Sequence, residues 1–188
     1  MASTGQKKKA VVLLEEQYET LEVHYPRLRL EEAGYEVVVA ATEAKKKHLC
    51  KVGYWAFSTH AFGDINAEEV AVLVIPGGLL CPDRLRRYPE CLELVRGVKA
   101  AGGVIGAICH GPWVAISAGI LDGVRSTCFF SIKDDLINAG AEYDADSRVV
   151  VDSDANYVSA QTPNDLPGFM AAILDLAAPT APAAPSDE

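Results

Sequence analysis

Four short apolar runs recur along the chain, and each reads as a strand buried on both faces. They are Ala10-Val11-Val12-Leu13-Leu14, Glu36-Val37-Val38-Val39-Ala40 (within 35–41), Val70-Ala71-Val72-Leu73-Val74-Ile75 and Val104-Ile105-Gly106-Ala107-Ile108. Between the first two, Leu21, Val23, Leu28, Leu30 and Ala33 mark the apolar side of a helix ending at Gly34. Pro26 falls inside it, where a kink or break is expected. Residues 49–62 read as a hairpin excursion around Gly53, and 83–101 as one helix, or two divided at Tyr88-Pro89. Further helices are expected over 113–118, 133–139 and 163–176, and further strands over 125–129, 142–143, 149–152 and 157–160. Strands alternating with helices predict a single-domain α/β fold: a doubly wound, mostly parallel sheet with helices on both faces. The domain is expected to span 9–176, with flexible termini at 1–8 and 177–188, the latter a run of alanines and prolines.

In such sheets ligands bind beyond the carboxyl ends of the strands. Three strand ends here carry unusual chemistry. The first run leads into Glu15-Glu16-Gln17-Tyr18-Glu19, the third into Pro76-Gly77-Gly78, and the fourth into Cys109-His110. The segment Ala107-Ile108-Cys109-His110-Gly111 has the small-x-nucleophile-x-small form of a nucleophile elbow, where small neighbours are needed because the turn is tight. Cys109 is therefore the candidate nucleophile, and the amides at the start of the following helix face the thiol. His110 is the candidate general acid or base. Gly77 and Gly78 offer free amides to an oxyanion, and Gly111 is counted with them as a candidate oxyanion or binding residue. Chemistry alone does not choose among Glu15, Glu16 and Glu19 for the partner acid.

Composition narrows the setting. Lys and Arg total 17 against 26 Asp and Glu, a net charge of -9, which disfavours non-specific binding to nucleic acid or anionic membrane. Five cysteines, an odd number without a CxxC pair, suit free thiols in a reducing, cytoplasmic compartment. No signal-peptide pattern or membrane-length apolar run is present. The histidines at 24, 48, 60 and 110 lack zinc-site spacing, so neither a metal nor another cofactor is expected. Cys50, Cys81, Cys91 and Cys128 read as packing residues.

The sequence resembles the ThiJ/PfpI superfamily over nearly all of 9–176. The resemblance rests on Glu16-Gln17-Tyr18-Glu19-Thr20-Leu21-Glu22-Val23 with Tyr25-Pro26, on Val74-Ile75-Pro76-Gly77-Gly78, and on Ala107-Ile108-Cys109-His110-Gly111-Pro112. Ile116-Ser117-Ala118-Gly119-Ile120-Leu121 adds to it, and 134–141 is similar to the PfpI-type branch. It implies a flavodoxin-like, class I glutamine amidotransferase-like fold, usually in a homodimer or higher homo-oligomer. It implies Cys109 as nucleophile, His110 beside it, Glu19 as the buried acid hydrogen-bonded to the thiol, and the amides of Gly78 and His110 as the oxyanion site. Asp83, where PfpI-type members carry a glutamate, is the implied inter-subunit acid, although the loop holds one extra residue. Phe129 stands where such members have a tyrosine.

The expected function is that of a cofactor-independent cysteine enzyme acting on small reactive carbonyls, in the manner of a glyoxalase III or deglycase. A PfpI-like peptidase or amidase, an isonitrile-type hydratase, and a redox-sensing protective protein acting through Cys109 oxidation are the alternatives.

Overall fold

A computed structural model describes residues 8–178. The expected flexible termini lie outside them, apart from Lys8 and the last residues of the closing helix. Seven strands form the central sheet. They are β1 (Lys9–Leu13), β2 (Glu36–Ala41), β5 (His60–Ala61), β6 (Val70–Ile75), β7 (Val104–Ile108), β10 (Val149–Asp152) and β11 (Tyr157–Ala160). Two further pairs stand apart from it: the hairpin β3 (Lys47–Leu49) with β4 (Trp55–Phe57), and β8 (Arg125–Ser126) with β9 (Glu142–Tyr143).

The strand order is β10-β11-β7-β6-β1-β2-β5, and every neighbouring pair is parallel except β10 with β11. The apolar runs explain the layout. β1, β6 and β7 are almost wholly buried, as expected of inner strands covered on both faces. The six α-helices are α1 (Thr20–Glu32), α2 (Cys81–Leu85), α3 (Pro89–Ala100), α4 (Pro112–Ala118), α5 (Lys133–Asn138) and α6 (Leu166–Ala177). α1 packs with α6, and α3 with α4, in two separate layers against the sheet. This is the expected doubly wound α/β architecture. From β1 the chain winds to β2 on one side and to β6 and β7 on the other, so the switch point lies between β1 and β6.

The structure revises two local expectations. Pro26 neither breaks nor divides α1, which runs continuously from Thr20 to Glu32 with the ring buried. The apolar side of α1 also differs from the one read by periodicity. Leu21 and Leu28 are 54% and 53% exposed, whereas Glu22 is fully buried. The helix interior is decided by where its first turn meets the strand ends, not by its own pattern.

Gly106 sets how closely α6 approaches the sheet. A Cβ at this position would lie 2.4 Å from Ile173 Cδ1 and 2.8 Å from Phe169 Cζ. Gly106→Ala is expected to destabilise the fold by about 1–3 kcal/mol through overpacking, read as a lower urea midpoint at unchanged slope. Combining it with Ile173→Val should cost less than the sum of the two single changes. Strict additivity would show that the contact does not set the helix position.

Candidate active site

The site begins with backbone strain at Cys109. Its φ is 61°, in the left-handed region that a side chain ordinarily avoids. The conformation is held on both sides: the Cys109 N–H donates to the Ala160 carbonyl at 3.0 Å, and its carbonyl accepts from the Phe129 N–H at 3.0 Å. The tight turn also explains Gly111, where a Cβ would lie 2.4 Å from the Ile75 carbonyl oxygen. The Gly111 amide donates to the Ile108 carbonyl at 2.8 Å, so it closes the elbow and is not an oxyanion donor.

Three loops meet over the sulfur. Gln17, with φ of 60°, turns the chain after β1 into a short extended stretch through Tyr18. On one edge this stretch bonds the hairpin, Gln17 N–H to Leu49 O at 2.8 Å and Lys51 N–H to Tyr18 O at 3.2 Å. On the other edge it bonds the loop after β6, Glu19 N–H to Gly77 O at 3.2 Å and Leu79 N–H to Gln17 O at 2.9 Å. α1 then starts at once, and its first turn carries Glu22 beneath the elbow.

Both Glu19 and Glu22 are buried, and it is Glu22, not Glu19, that lies against the thiol. Its Oε2 accepts a 2.7 Å hydrogen bond from the Gly77 N–H. Its Oε1 is buried without a partner of full hydrogen-bond geometry, and the Cys109 thiol acts on the carboxyl as a hydrogen-bonding neighbour. A Cβ on Gly77 would fall 2.8 Å from both Cys109 Cβ and Glu22 Oε2, so only glycine permits this approach. Glu19 lies at the rim, one turn earlier, and pairs with Lys51. Both groups remain within electrostatic reach of Cys109. The other two acids are engaged in structure. Glu15 accepts from Glu16 N–H at 2.9 Å and Tyr88 Oη at 3.2 Å and faces Arg84, while Glu16 accepts from Leu49 N–H at 3.1 Å.

Burial pushes the Glu22 carboxyl up to about 8, and the nearby Glu19 charge adds to this, while the Gly77 amide opposes it. Burial likewise pushes the Cys109 thiol up to about 12, with the Glu22 charge adding to the effect. The His110 and Gly78 N–H groups act on the sulfur in the opposite direction. Those two amides are the pair for which the resemblance implies an oxyanion role, whereas the Gly77 amide is committed to Glu22. Burial lowers the His110 pKa. Its Nδ1 is 3.3 Å from Cys109 Sγ. Burial thus disfavours charge on all three groups, the thiol, the carboxyl and the imidazole.

Asp83 faces Arg87 of its own chain and does not touch His110 there. Phe129 stacks on the His110 ring at 5.0 Å between centroids. Cys50, Cys81, Cys91 and Cys128 are buried, and all five cysteines are free thiols. Among the described residues, no group of three or more His, Cys, Asp or Glu is placed to hold a metal ion. Also among them, no helix is long and apolar enough to cross a membrane. Sequence reasoning missed Glu22 and Lys51. A glutamate at i+3 from Glu19, on the same side of a helix start, was the available signal for the first.

A strained cysteine at a strand-to-helix elbow, lying beyond the carboxyl ends of a parallel sheet, defines the nucleophile-elbow class of α/β proteins. Within that class the chain belongs to the DJ-1/PfpI family, whose model matches residues 8–176. It is 40% identical over 162 residues to Deglycase PfpI of Pyrococcus furiosus, covering 86% of this chain and 95% of that protein. It is also 40% identical over 169 residues to YraA of Bacillus subtilis, covering 90% and 98% of the two chains; the name of YraA provisionally assigns it to the cysteine proteases. Among solved structures, a two-domain Anabaena variabilis protein with DJ-1/ThiJ/PfpI-like and ferritin-like domains superposes with a TM-score of 0.85 at 36% identity. That match covers 90% of this chain and 48% of the Anabaena protein.

The Glu22 assignment makes a pH prediction. Folded Glu22 keeps its proton up to about pH 8, against a reference value of 4.5. The folded state thus binds more protons between these values, and stability falls as pH rises through that window. Glu22→Gln removes this slope. Its unfolding free energy should gain on wild type by on the order of a few kcal/mol between pH 5 and pH 8. Parallel denaturation curves would show that Glu22 titrates normally.

Proposed function

We propose that this chain is a cofactor-independent cysteine enzyme of the deglycase and glyoxalase III type, acting on small reactive carbonyls and their early adducts. The observation that carries the reading is Cys109, held in left-handed backbone against a fully buried Glu22, with two amides aimed at its sulfur. The relatedness to Deglycase PfpI supports it.

The chemistry follows from the positions. Cys109 Sγ adds to the aldehyde carbon of methylglyoxal as its proton passes to His110 Nδ1. The carbonyl π electrons move to oxygen, and the Gly78 and His110 N–H groups hold that oxyanion. Return of the proton from His110 gives a hemithioacetal. Glu22, once its own proton has passed to water, removes the hydrogen from the sulfur-bearing carbon, and the carboxyl so formed returns that proton to the enediol at the neighbouring carbon. A group with a pKa near the working pH both accepts and donates in such a transfer. The product is a thioester of a 2-hydroxy acid, and water cleaves its C–S bond to release lactate and the thiol. The carbon oxidised and the carbon reduced belong to one substrate, so no external oxidant enters. With an early adduct, the amine leaves from the same carbon.

Glu19 and Lys51 sit at the rim, where an ion pair orients a polar substrate without taking its hydrogen. The peptidase reading has the YraA relationship and the Cys109–His110 contact in its favour. Homo-oligomer formation is part of the proposal. Exposed Leu21, Leu28, Tyr54 and Trp55 supply an apolar surface suited to a second copy. The five free thiols suit a cytoplasmic setting.

Lactate release from methylglyoxal without glutathione is the direct test. Cys109→Ser should abolish it. Glu22→Gln should lower kcat by about 100-fold or more, and Glu19→Gln by less than about tenfold, with the larger effect on KM. Wild-type turnover no higher than that of Cys109→Ser would overturn the proposal. The reverse ranking of the two glutamates would restore Glu19 as the transferring acid.

A further inference from the structure

His110 has an intrachain partner that the sequence comparison does not supply. Its Nε2 lies 3.2 Å from Ser131 Oγ. Ser131 belongs to the 3-10 turn Phe130–Ile132, which follows β8 and leads directly into α5. The hydroxyl makes no other hydrogen bond among the described residues. The turn is anchored to the elbow itself, since Phe129 N–H donates to the Cys109 carbonyl at 3.0 Å and Ile132 N–H donates to the Phe129 carbonyl at 3.1 Å. Elbow and serine therefore move together.

The imidazole is also confined by rings. Phe129 stacks on it at 5.0 Å with planes 29° apart, and Trp113 meets it edge-on at 5.2 Å. Trp113 is in turn fixed by its indole N–H, which donates to Asp135 Oδ2 at 2.8 Å, and by Arg86 over its ring at 5.5 Å. These contacts set the ring plane. They do not decide which nitrogen carries the proton, because neither ring offers an acceptor in that plane. That choice falls to the two polar neighbours, Cys109 Sγ on Nδ1 and Ser131 Oγ on Nε2.

We propose that Ser131 is a positioning residue: its oxygen accepts the Nε2–H of His110 and so turns the Nδ1 lone pair toward the Cys109 thiol. The inference deepens the proposed mechanism and rests on His110 taking the thiol proton. A neutral imidazole has one donor and one acceptor nitrogen, and the hydrogen bond at one fixes the role of the other. A base at Nδ1 needs the proton at Nε2. When the thiol proton arrives, Nε2–H stays on the serine oxygen and no second proton transfer follows. A hydroxyl in this role orients the ring without placing a carboxylate against it. This matches Asp83, which is held by Arg87, and among the described residues no carboxylate is hydrogen-bonded to the His110 ring. The titratable group in contact with the ring is the Cys109 thiol, and Asp135 stands beyond Trp113, engaged by the indole.

The test pairs a spectroscopic with a kinetic readout. In 15N-labelled wild type at pH 7.5, the His110 nitrogen shifts should report the Nε2–H tautomer. Ser131→Ala should move them toward a mixture of tautomers and lower kcat about two- to tenfold at nearly unchanged KM. Ser131→Thr, which keeps the hydroxyl, should restore both. Ser131→Asp, which brings a carboxylate to Nε2, should raise the His110 pKa and move the matching limb of the pH–rate profile upward. An Nδ1–H tautomer in wild type, or unchanged shifts and kcat in Ser131→Ala, would overturn the proposal. The tautomer is read without substrate. Absence of carbonyl turnover in wild type would therefore count against the proposed reaction, and not against the serine contact.

Discussion

The site depends on a steric constraint at Gly77, where three segments distant in sequence approach within the width of one methyl group. A Cβ there would meet Cys109 Cβ, Glu22 Oε2 and the His110 amide nitrogen, all within 2.9 Å. The strand end of β6, the elbow after β7 and the first turn of α1 thus share one small volume. The position lies at the switch between β1 and β6, where a doubly wound sheet opens a crevice. Close approach lets one backbone N–H hold the acid while its neighbour, that of Gly78, faces the sulfur.

That closeness governs the electrostatics. Glu22 and Cys109 are both removed from water and face each other, so two negative charges there are mutually unfavourable. Desolvation is the main influence on both groups and works against charge on either. Such a thiol reacts with an electrophile that accepts the sulfur as the proton leaves, and the two amides supply the charge stabilisation that water no longer provides. A small aldehyde fits this requirement, because its oxygen becomes an anion at the point those amides face.

The surrounding charges hold the frame. Glu15 ties the end of β1 to Arg84 and Tyr88 across the crevice, and Glu16 holds the hairpin backbone at Leu49. The stretch through Tyr18 is bonded along both edges, which places Lys51 opposite Glu19 at the rim. Three neighbouring glutamates after one strand thus have different tasks. Two join loops together, and the third faces a lysine at the entrance.

The sequence by itself determined the sheet and the cysteine elbow. Continuous apolar runs need burial on both faces, and that requirement is local enough to be legible in β1, β6 and β7. The small-x-Cys-x-small elbow is equally local, because tight backbone excludes large neighbours whatever surrounds it. The identity of the acid was not local. Glu19 and Glu22 both stand at the start of α1, and the apolar residues Leu21 and Leu28 pointed to the wrong interior side. Only the docking of that first turn beneath Gly77 decided which carboxyl lies against the thiol and which faces Lys51. The partners of His110 and Glu19 were likewise invisible, since Ser131 and Lys51 arrive from a turn and a hairpin whose positions are set by tertiary packing. Strand burial and backbone strain are written into short segments, whereas a carboxyl's solvation and a histidine's proton depend on groups that meet only after the chain has folded.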